Sequence, residues 1–548
     1  MSETEDHTDE EPTEDQETAS SRREFLAGAG TASVAAVGAV LATCALRGIR
    51  LPAHPSSASS RVAFVRPAST TAKPTRADWT ALRKHLSARK LVRPGDLGYG
   101  QARKLYQPRF DSLEPAAVAY CHTVADVASC LSFARKFRTA VRVRSGGHSL
   151  AGWSTVTGGL VIDVSAMNAV SFGDQTVTVG AGLDLINFHS SLAARSLAVP
   201  AAASPTVGIA GLALGGGLGA LSRLHGTTSD NLVAIQLVMA DGSAVSCDDT
   251  QNSDVLWACR GGGGGNFGVA TSLTFGTHDR SELCVYLLTW PWPDAARVVS
   301  AWQSWAPDAP DELRSILHLS ADFGSSPSLG VGGTYAGPAH ALARHLDYLY
   351  HLVGSAPATA FARQESYLDA MLVEAGCSAI PIEACHTGPG GQLARVPSFA
   401  RSDFFTAPLP RGGIRALLAG LERIRGINGA AGGAGVVAFD ALGGAVNRVP
   451  AQATAFVHRD ALFLAQYSTS WTSPGEPSGV NNQHAWLNSC YRSLHRHASG
   501  QAYQNYVDPD LRDWRRAYYG ANYPWLKLVK TTVDPANIFQ FPQSIRPG

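Results

Sequence analysis

Net charge is nearly absent from this 548-residue chain: 45 lysines and arginines stand against 44 aspartates and glutamates, leaving +1. Affinity for a phosphate backbone needs a clear cationic excess, so nucleic-acid binding is not expected. The nine cysteines include no Cys-x-x-Cys pair and no Cys/His cluster at zinc spacing, so no metal site is expected. No Gly-Lys-Ser/Thr follows the glycine-rich segments, which excludes a P-loop. A Leu/Ile-rich membrane span is missing too. The one long apolar run, Ala27 to about Leu46, is mostly Ala and Gly, so no stable membrane insertion is expected.

The N-terminus carries signals of another kind. Residues 1–20 are strongly acidic with nothing apolar to bury, and are expected to form a disordered tail. Ser21-Arg22-Arg23-Glu24-Phe25-Leu26 before the apolar run has the form of a twin-arginine signal over 21–50. The expected fate is export to the periplasm or the outside, with the twin-arginine machinery as partner. Lipid anchoring at Cys44, within Leu41-Ala42-Thr43-Cys44, is the minor alternative. This route carries folded proteins, commonly with a cofactor already loaded. In an oxidising compartment Cys377 and Cys385 can form a local disulfide, and buried free thiols account for them equally well.

Residues 51–100 are expected to be a linker and a lead-in helix over 79–92. A strand at 117–120, a helix at 124–136 and a strand at 141–143 form a β-α-β pattern. Strands at 160–163, 175–179, 232–239, 244–246 and 269–275 and a helix at 183–197 follow. Beyond Cys284 the texture changes to strands at 286–290, 435–439 and 462–467 and helices at 294–305, 338–353 and 413–424. The expected class is α+β, an antiparallel sheet with helices on one face joined to a first domain. The expected divisions are 101–282, 283–500 and a segment 501–548 that returns to the first domain.

Glycine clusters in three places. Arg144-Ser145-Gly146-Gly147-His148-Ser149 directly follows the strand at 141–143, and paired glycines there let successive N–H groups turn inward around a phosphate. The second cluster runs from Ser204-Pro205-Thr206-Val207-Gly208 to Gly219, with Gly211 and the triplet Gly215-Gly216-Gly217. Its overlap with the dinucleotide fingerprint is superficial, because Pro205 and the triple glycine spoil the strand–turn–helix context. The third cluster is Gly261 to Gly265 followed by Asn266-Phe267-Gly268-Val269, between an aromatic segment and a strand.

Taken in order, these segments resemble the berberine bridge enzyme-like oxidases of the vanillyl-alcohol oxidase flavoprotein superfamily. Asp230-Asn231 belongs to the same pattern, as does the tail Tyr518-Tyr519-Gly520-Ala521-Asn522-Tyr523 through Gln543-Ser544-Ile545. The resemblance covers roughly 100–548, weakest in the middle. It implies a two-domain fold with FAD held by Arg144, Ser145, Gly146, Gly147, His148 and Ser149 from the first segment. From the second it implies Ser204, Val207, Gly208, Gly211, Gly215, Gly216 and Gly217, and from the third Gly265, Asn266, Gly268 and Val269. It further implies a covalent bond from His148 to the flavin. Relatives with a second tether have Cys where this chain has Ser204, so His148 is expected to be the only one. Val207 matches the position whose small β-branched residue accompanies O2 reactivity.

The resemblance also implies a tyrosine base, Tyr506 ahead of Tyr503, with Tyr506 also against the flavin. Gln466 and Tyr467 are expected to face the substrate side and Asp440 to assist the base. An ordinary phenol is a weak base at neutral pH, so the site must lower its pKa. His458-Arg459-Asp460 is expected to be a turn, and Arg512, Arg515 and Arg516 a solvated face. The expected activity is that of an exported oxidase. Hydride leaves a hydroxylated carbon (alcohol, sugar hemiacetal or natural-product hydroxyl) for flavin N5, and O2 becomes hydrogen peroxide. The alternatives are a flavin dehydrogenase with a non-oxygen acceptor and an exported protein that holds flavin without turnover.

Overall fold

A computed structural model describes residues 72–472 and 475–548. The acidic tail, the paired-arginine segment, Cys44 and most of the linker lie outside the described residues. Local chemistry sets the first elements. Thr75 and Asp78 exchange capping hydrogen bonds that start the helix Arg76–His85. It ends well before residue 92 because Leu86 turns extended and Leu91–Val92 pairs as a strand with Ala117–Tyr120. A second capping box, Thr123 with Asp126, starts the helix Val124–Phe137.

The strands of the β-α-β pattern, Ala117–Tyr120 and Val141–Arg144, are parallel but not adjacent. Leu160–Asp163 lies between them and bonds to both. A five-stranded antiparallel sheet follows, in the order Val170–Gly173, Thr176–Gly180, Val269–Gly276, Leu232–Val238, Ala244–Asp248. The expected helix at 183–197 is shorter, Leu185–Ala193, because Leu197–Ala198 is drawn into a strand pair with His278–Asp279.

The second body is a seven-stranded sheet, antiparallel throughout. Its order is Thr359–Ser366, Glu282–Trp290, Ser328–Tyr335, Leu313–Asp322, Ala434–Ala441, Phe463–Ser470, Ser398–Phe405. Four of these strands are not among those expected. Gly330, Gly332 and Gly333 interrupt one, Arg314 and His318 break the apolar run of another, and Thr359–Ser366 is an exposed polar edge. The helices Ala295–Trp305, Ala339–Val353, Arg411–Glu422 and Pro477–His495 share one core with Leu317, Val331, Val437, Ala465 and Tyr467. That core occupies one face of the sheet. The other face meets the first body.

The C-terminal helices Trp514–Tyr519 and Tyr523–Val533 contribute Trp514, Tyr519, Leu526 and Val529 to the core of the first body. Lys530 is fully buried there. Its ammonium donates to Asp534 at 2.7 Å and to the carbonyls of Asn266 at 2.6 Å and Phe539 at 2.7 Å. The tail is thus pinned to the third glycine segment. Cys377 and Cys385 are disulfide-bonded, and the other described cysteines are buried thiols. Arg512, Arg515 and Arg516 are exposed. Among the described residues no helix is long and apolar enough to cross a membrane.

Candidate active site

One cleft runs from the first glycine segment to the C-terminal tail. Its walls include Ser145, Gly146, Gly147, His148 and Ser149; Val207, Gly208 and Gly211; Gly265, Asn266 and Gly268; and Tyr503 and Tyr506. The three glycine clusters, far apart in sequence, thus meet around one space with the two tyrosines at its side.

The glycines divide by what a side chain would meet. A Cβ on Gly146 would sit 2.3 Å from the nitrogen of Gly208, and one on Gly208 2.0 Å from Ser145 Oγ. Bare backbone is therefore needed for the first two segments to touch. Gly211 has nothing within 4 Å, and Gly264 only Leu214 at 3.9 Å, so both present backbone to the open cleft. Gly147 turns the chain at φ 69°, a conformation that favours glycine.

Several expected cofactor residues stand behind the wall. Arg144 pairs with the buried Asp163 on the adjacent strand and holds the turn from below. Gly215, Gly216 and Gly217 are bare for the protein's sake, since their Cβ atoms would strike Asn505, Phe456 and Thr228. Val269 is a core strand residue. Ser204 is half-buried and is not among the cleft-lining residues. Contrary to expectation, none of these six lines the cleft. Asn266 does line it, while its side-chain oxygen accepts from Ile545 N–H at 2.9 Å and so ties the loop to the tail.

His148 sits at the cleft with its ring stacked on Tyr106, 4.0 Å between centroids. Its Nε2 lies 2.8 Å from Thr206 Oγ1. Burial pushes its pKa down to about 3, so the imidazole is neutral at working pH. Tyr106 and Thr206 had no sequence signal beyond their neighbourhood.

Tyr503 Oη accepts from Gly217 N–H at 3.0 Å and from the Asn505 amide at 2.9 Å. Contrary to the expected lowering, burial raises the pKa of both tyrosines, Tyr506 strongly; the two donors counter part of the rise at Tyr503. The two rings meet edge to face, 4.9 Å between centroids, in a buried cluster that includes Leu464. The segment is placed by His458, whose Nδ1 and Nε2 lie 2.5 Å and 3.2 Å from the side-chain oxygens of Gln501 and Gln504. Arg459 reaches back to Asp230 through two bonds of 2.8 Å and 2.7 Å. The turn expected at 458–460 is irregular backbone, as a turn should be. Its buried side chains nevertheless position the tyrosines.

Strand alternation sorts the sheet residues. Val437, Phe439, Ala441, Phe463, Ala465 and Tyr467 belong to the helix-covered core, so Asp440, Leu464 and Gln466 face the other way. Gln466 and Tyr467 cannot share a face; Tyr467 packs edge-on against Tyr491, which corrects its expected place beside the substrate. Gln466 is buried and its Nε2 has no hydrogen-bond partner. The same sheet row holds Ser402, Gln466, Ala438 and His318 in register. Ser402 Oγ accepts from Tyr503 N–H at 3.0 Å. Burial lowers the His318 pKa to about 4, so that row is uncharged near neutral pH. Asp440 is bound by Arg314, Nε to Oδ1 at 3.2 Å and Nη2 to Oδ2 at 3.4 Å. Arg314 Nη1 also donates to Glu374 at 3.1 Å. Sequence inspection misses Arg314 and Glu374, which only the fold brings to Asp440.

Models of a FAD binding domain and of berberine and berberine-like proteins match residues 115–248 and 502–546. The FAD-linked oxidoreductase YgaK of Bacillus subtilis, itself uncharacterised, is 33% identical over 467 residues, 84% of this chain and 97% of that protein. The chain belongs to the berberine bridge enzyme-like family of FAD-linked oxidoreductases. Its fold is that family's two-domain α+β fold. The solved berberine bridge enzyme-like 1 of Physcomitrella patens superposes with TM-score 0.75 at 30% identity, covering 84% of this chain and 97% of that one. The chitooligosaccharide oxidase of Gibberella zeae is 29% identical over 451 residues, 79% of this chain and 88% of that protein.

FAD is therefore the cofactor of this berberine bridge enzyme-like oxidoreductase, and the residues fit it. The backbone at Gly211 and Gly264 is open where a side chain would intrude. Gln543, on the cleft wall, keeps a buried side-chain oxygen without a donor.

Proposed function

We propose that this enzyme oxidises a hydroxyl-bearing carbon of a neutral small molecule, an alcohol or sugar hemiacetal, in the space between the cleft and the polar face of the sheet. The observation that carries this is the meeting of Tyr503 and Tyr506 with a sheet face whose charges are paired and whose Gln466 amide is left unpartnered. FAD, when bound, supplies the hydride acceptor at N5 and, reoxidised by O2, returns hydrogen peroxide.

Tyr506 is the base that takes the substrate hydroxyl proton. Tyr503 Oη accepts from Gly217 and Asn505, donors that favour its ionised form, so it is the second candidate for the same role. Gln466 Nε2 and His318 offer neutral hydrogen-bonding groups that orient a hydroxylated ring. Arg314 holds the carboxylate of Asp440. Asp440 therefore assists through the charge of that pair.

His148 is the single covalent tether, because its neutral imidazole keeps a lone pair for bonding while Thr206 fixes its other nitrogen. Ser204 offers no thiolate. Val207, on the cleft wall, leaves room for O2. Export through the twin-arginine pathway to the periplasm or outside follows from Arg22-Arg23, with 101–282 and 501–548 as the flavin domain and 283–500 as the substrate domain. The name of the chitooligosaccharide oxidase relative favours a carbohydrate hydroxyl among the possible substrates.

The test is acid precipitation of the purified protein, peptide mapping, and anaerobic bleaching by a panel of neutral sugars and alcohols. Flavin on the His148 peptide, bleaching by a neutral hydroxyl compound and peroxide on readmission of air support the proposal. All flavin in the supernatant overturns the tether. Bleaching without peroxide overturns the oxidase assignment in favour of a dehydrogenase.

A further inference from the structure

Arg314 is the most deeply buried cation on the substrate face, and the reaction as described gives it no work beyond holding Asp440. Its side chain is about 1% exposed and is gripped by two carboxylates from different parts of the fold. Asp440 comes from the neighbouring strand Ala434–Ala441. Glu374 comes from the last turn of the helix Tyr367–Glu374, three residues before the disulfide-bonded Cys377. Asp440 is the register partner of Leu464, Leu464 shares a buried cluster with Tyr506, and the charges of Asp440 and Arg314 both act on Tyr506. The charge cluster therefore lies within electrostatic reach of the tyrosine that serves as base.

We propose that Arg314, clamped between Asp440 and Glu374, is a positioning residue that sets the charge felt by Tyr506, with Glu374 as its adjustable counter-charge. The inference rests on Tyr506 as the base. Arg314 and Asp440 alone cancel, so the cluster is neutral when Glu374 carries a proton. Once Glu374 ionises, the cluster bears one net negative charge and opposes a phenolate nearby.

Burial, only partly offset by Arg314, pushes the Glu374 pKa up to about 7, so this change falls in the working range. One oxygen of Glu374, Oε2, is buried without a partner, which disfavours the carboxylate more than the neutral acid. The remaining groups facing the cluster are Arg223 from the helix Ser222–His225, Tyr286 from the strand Glu282–Trp290, and Tyr503 beside Tyr506. His189, facing Tyr367 at the start of the Glu374 helix, is bonded to that hydroxyl at 2.8 Å. Arg223 is spent on the carbonyls of Ala306, Pro307 and Leu442. Tyr286 donates its hydroxyl to the Arg314 carbonyl. Burial raises the Asp440 pKa as well, but Arg314 and Arg223 offset it and Arg314 gives Asp440 two bonds against one for Glu374, so Glu374 is the member placed to change charge near neutral pH.

The experiment follows the ultraviolet tyrosinate signal of the holoenzyme against pH, taken as the difference from the Tyr506→Phe variant, which isolates Tyr506. Glu374→Gln keeps an oxygen for Arg314 but removes the counter-charge. It should move the Tyr506 titration down by about one pH unit, the size of a single charge felt across roughly 10 Å at an effective dielectric of about 20. The pH limb of anaerobic bleaching should move with it. Arg314→Met should move the titration up, and Arg314→Lys should restore it in part. If Glu374→Gln leaves the Tyr506 titration where it was, the proposal is overturned, whether or not Arg314→Met folds. If the titration shifts but Tyr506→Phe turns over normally, the coupling stands and the base assignment fails.

Discussion

The flavin cleft and the substrate face of the seven-stranded sheet are built by different logics. The cleft is made of contiguous loops, each carrying its own glycines, and each loop contributes several neighbouring residues such as Ser145 to Ser149. The sheet face is made of single side chains delivered by separate strands, such as Ser402, Gln466 and His318 in one row. Loops are recognisable in a sequence because their conformation demands particular residues. A sheet row is not, because its members are adjacent only after strands from 313 to 470 have paired.

The contrast also divides the consequences of mutation. The largest effect is expected where the cleft meets the sheet face, at a single group that does chemistry. Tyr506→Phe should slow substrate-driven flavin bleaching by roughly 10²–10⁴-fold, the usual size of a general base, with Tyr503→Phe costing less. Equal losses at both would mean that the two tyrosines share the proton, and stopped-flow absorbance decides it.

On the cleft side the largest effect should be on stability. Lys530→Met leaves Asp534 buried without its partner and frees the Asn266 carbonyl. A loss of about 3–5 kcal/mol is expected, measured by denaturant unfolding. A smaller loss would show that the tail holds the third glycine segment through its apolar contacts.

The tether follows. His148→Ala should release all flavin into the acid supernatant, and Ser204→Cys in that background should not recover an acid-stable flavin unless the Ser204 side chain can turn into the cleft. Peptide mapping reads both. The smallest effect is expected at Gln466. Gln466→Leu removes an unpartnered amide, so the free enzyme should keep its stability while KM rises by about tenfold, near the worth of one hydrogen bond. A stability loss in place of a KM rise would mean that Gln466 serves the sheet and not the substrate.

Local sequence was informative wherever local chemistry decides the conformation. The Thr123–Asp126 box starts a helix, and Gly146-Gly147 makes a turn that places His148 on the cleft wall. It misled where a local need has two solutions. Gly215-Gly216-Gly217 satisfies close approach to Asn505, Phe456 and Thr228, and nothing in the triplet says whether a protein or a ligand does the approaching. Tyr467 failed for a simpler reason: a strand sends adjacent residues to opposite faces, and the sequence does not say which face holds the substrate.

The linear chain was enough to specify the cofactor class, the three loops and the tyrosine-bearing segment, because each is a contiguous run whose turn-forming residues are neighbours in sequence. Tertiary structure alone decided that Arg314 should meet Asp440 and Glu374, and that His458 and Arg459 should buttress the segment at 501–506. Those partners lie tens to hundreds of residues apart, and their attraction depends on a low-dielectric interior that exists only after the sheet, the helices and the returning tail have closed around them.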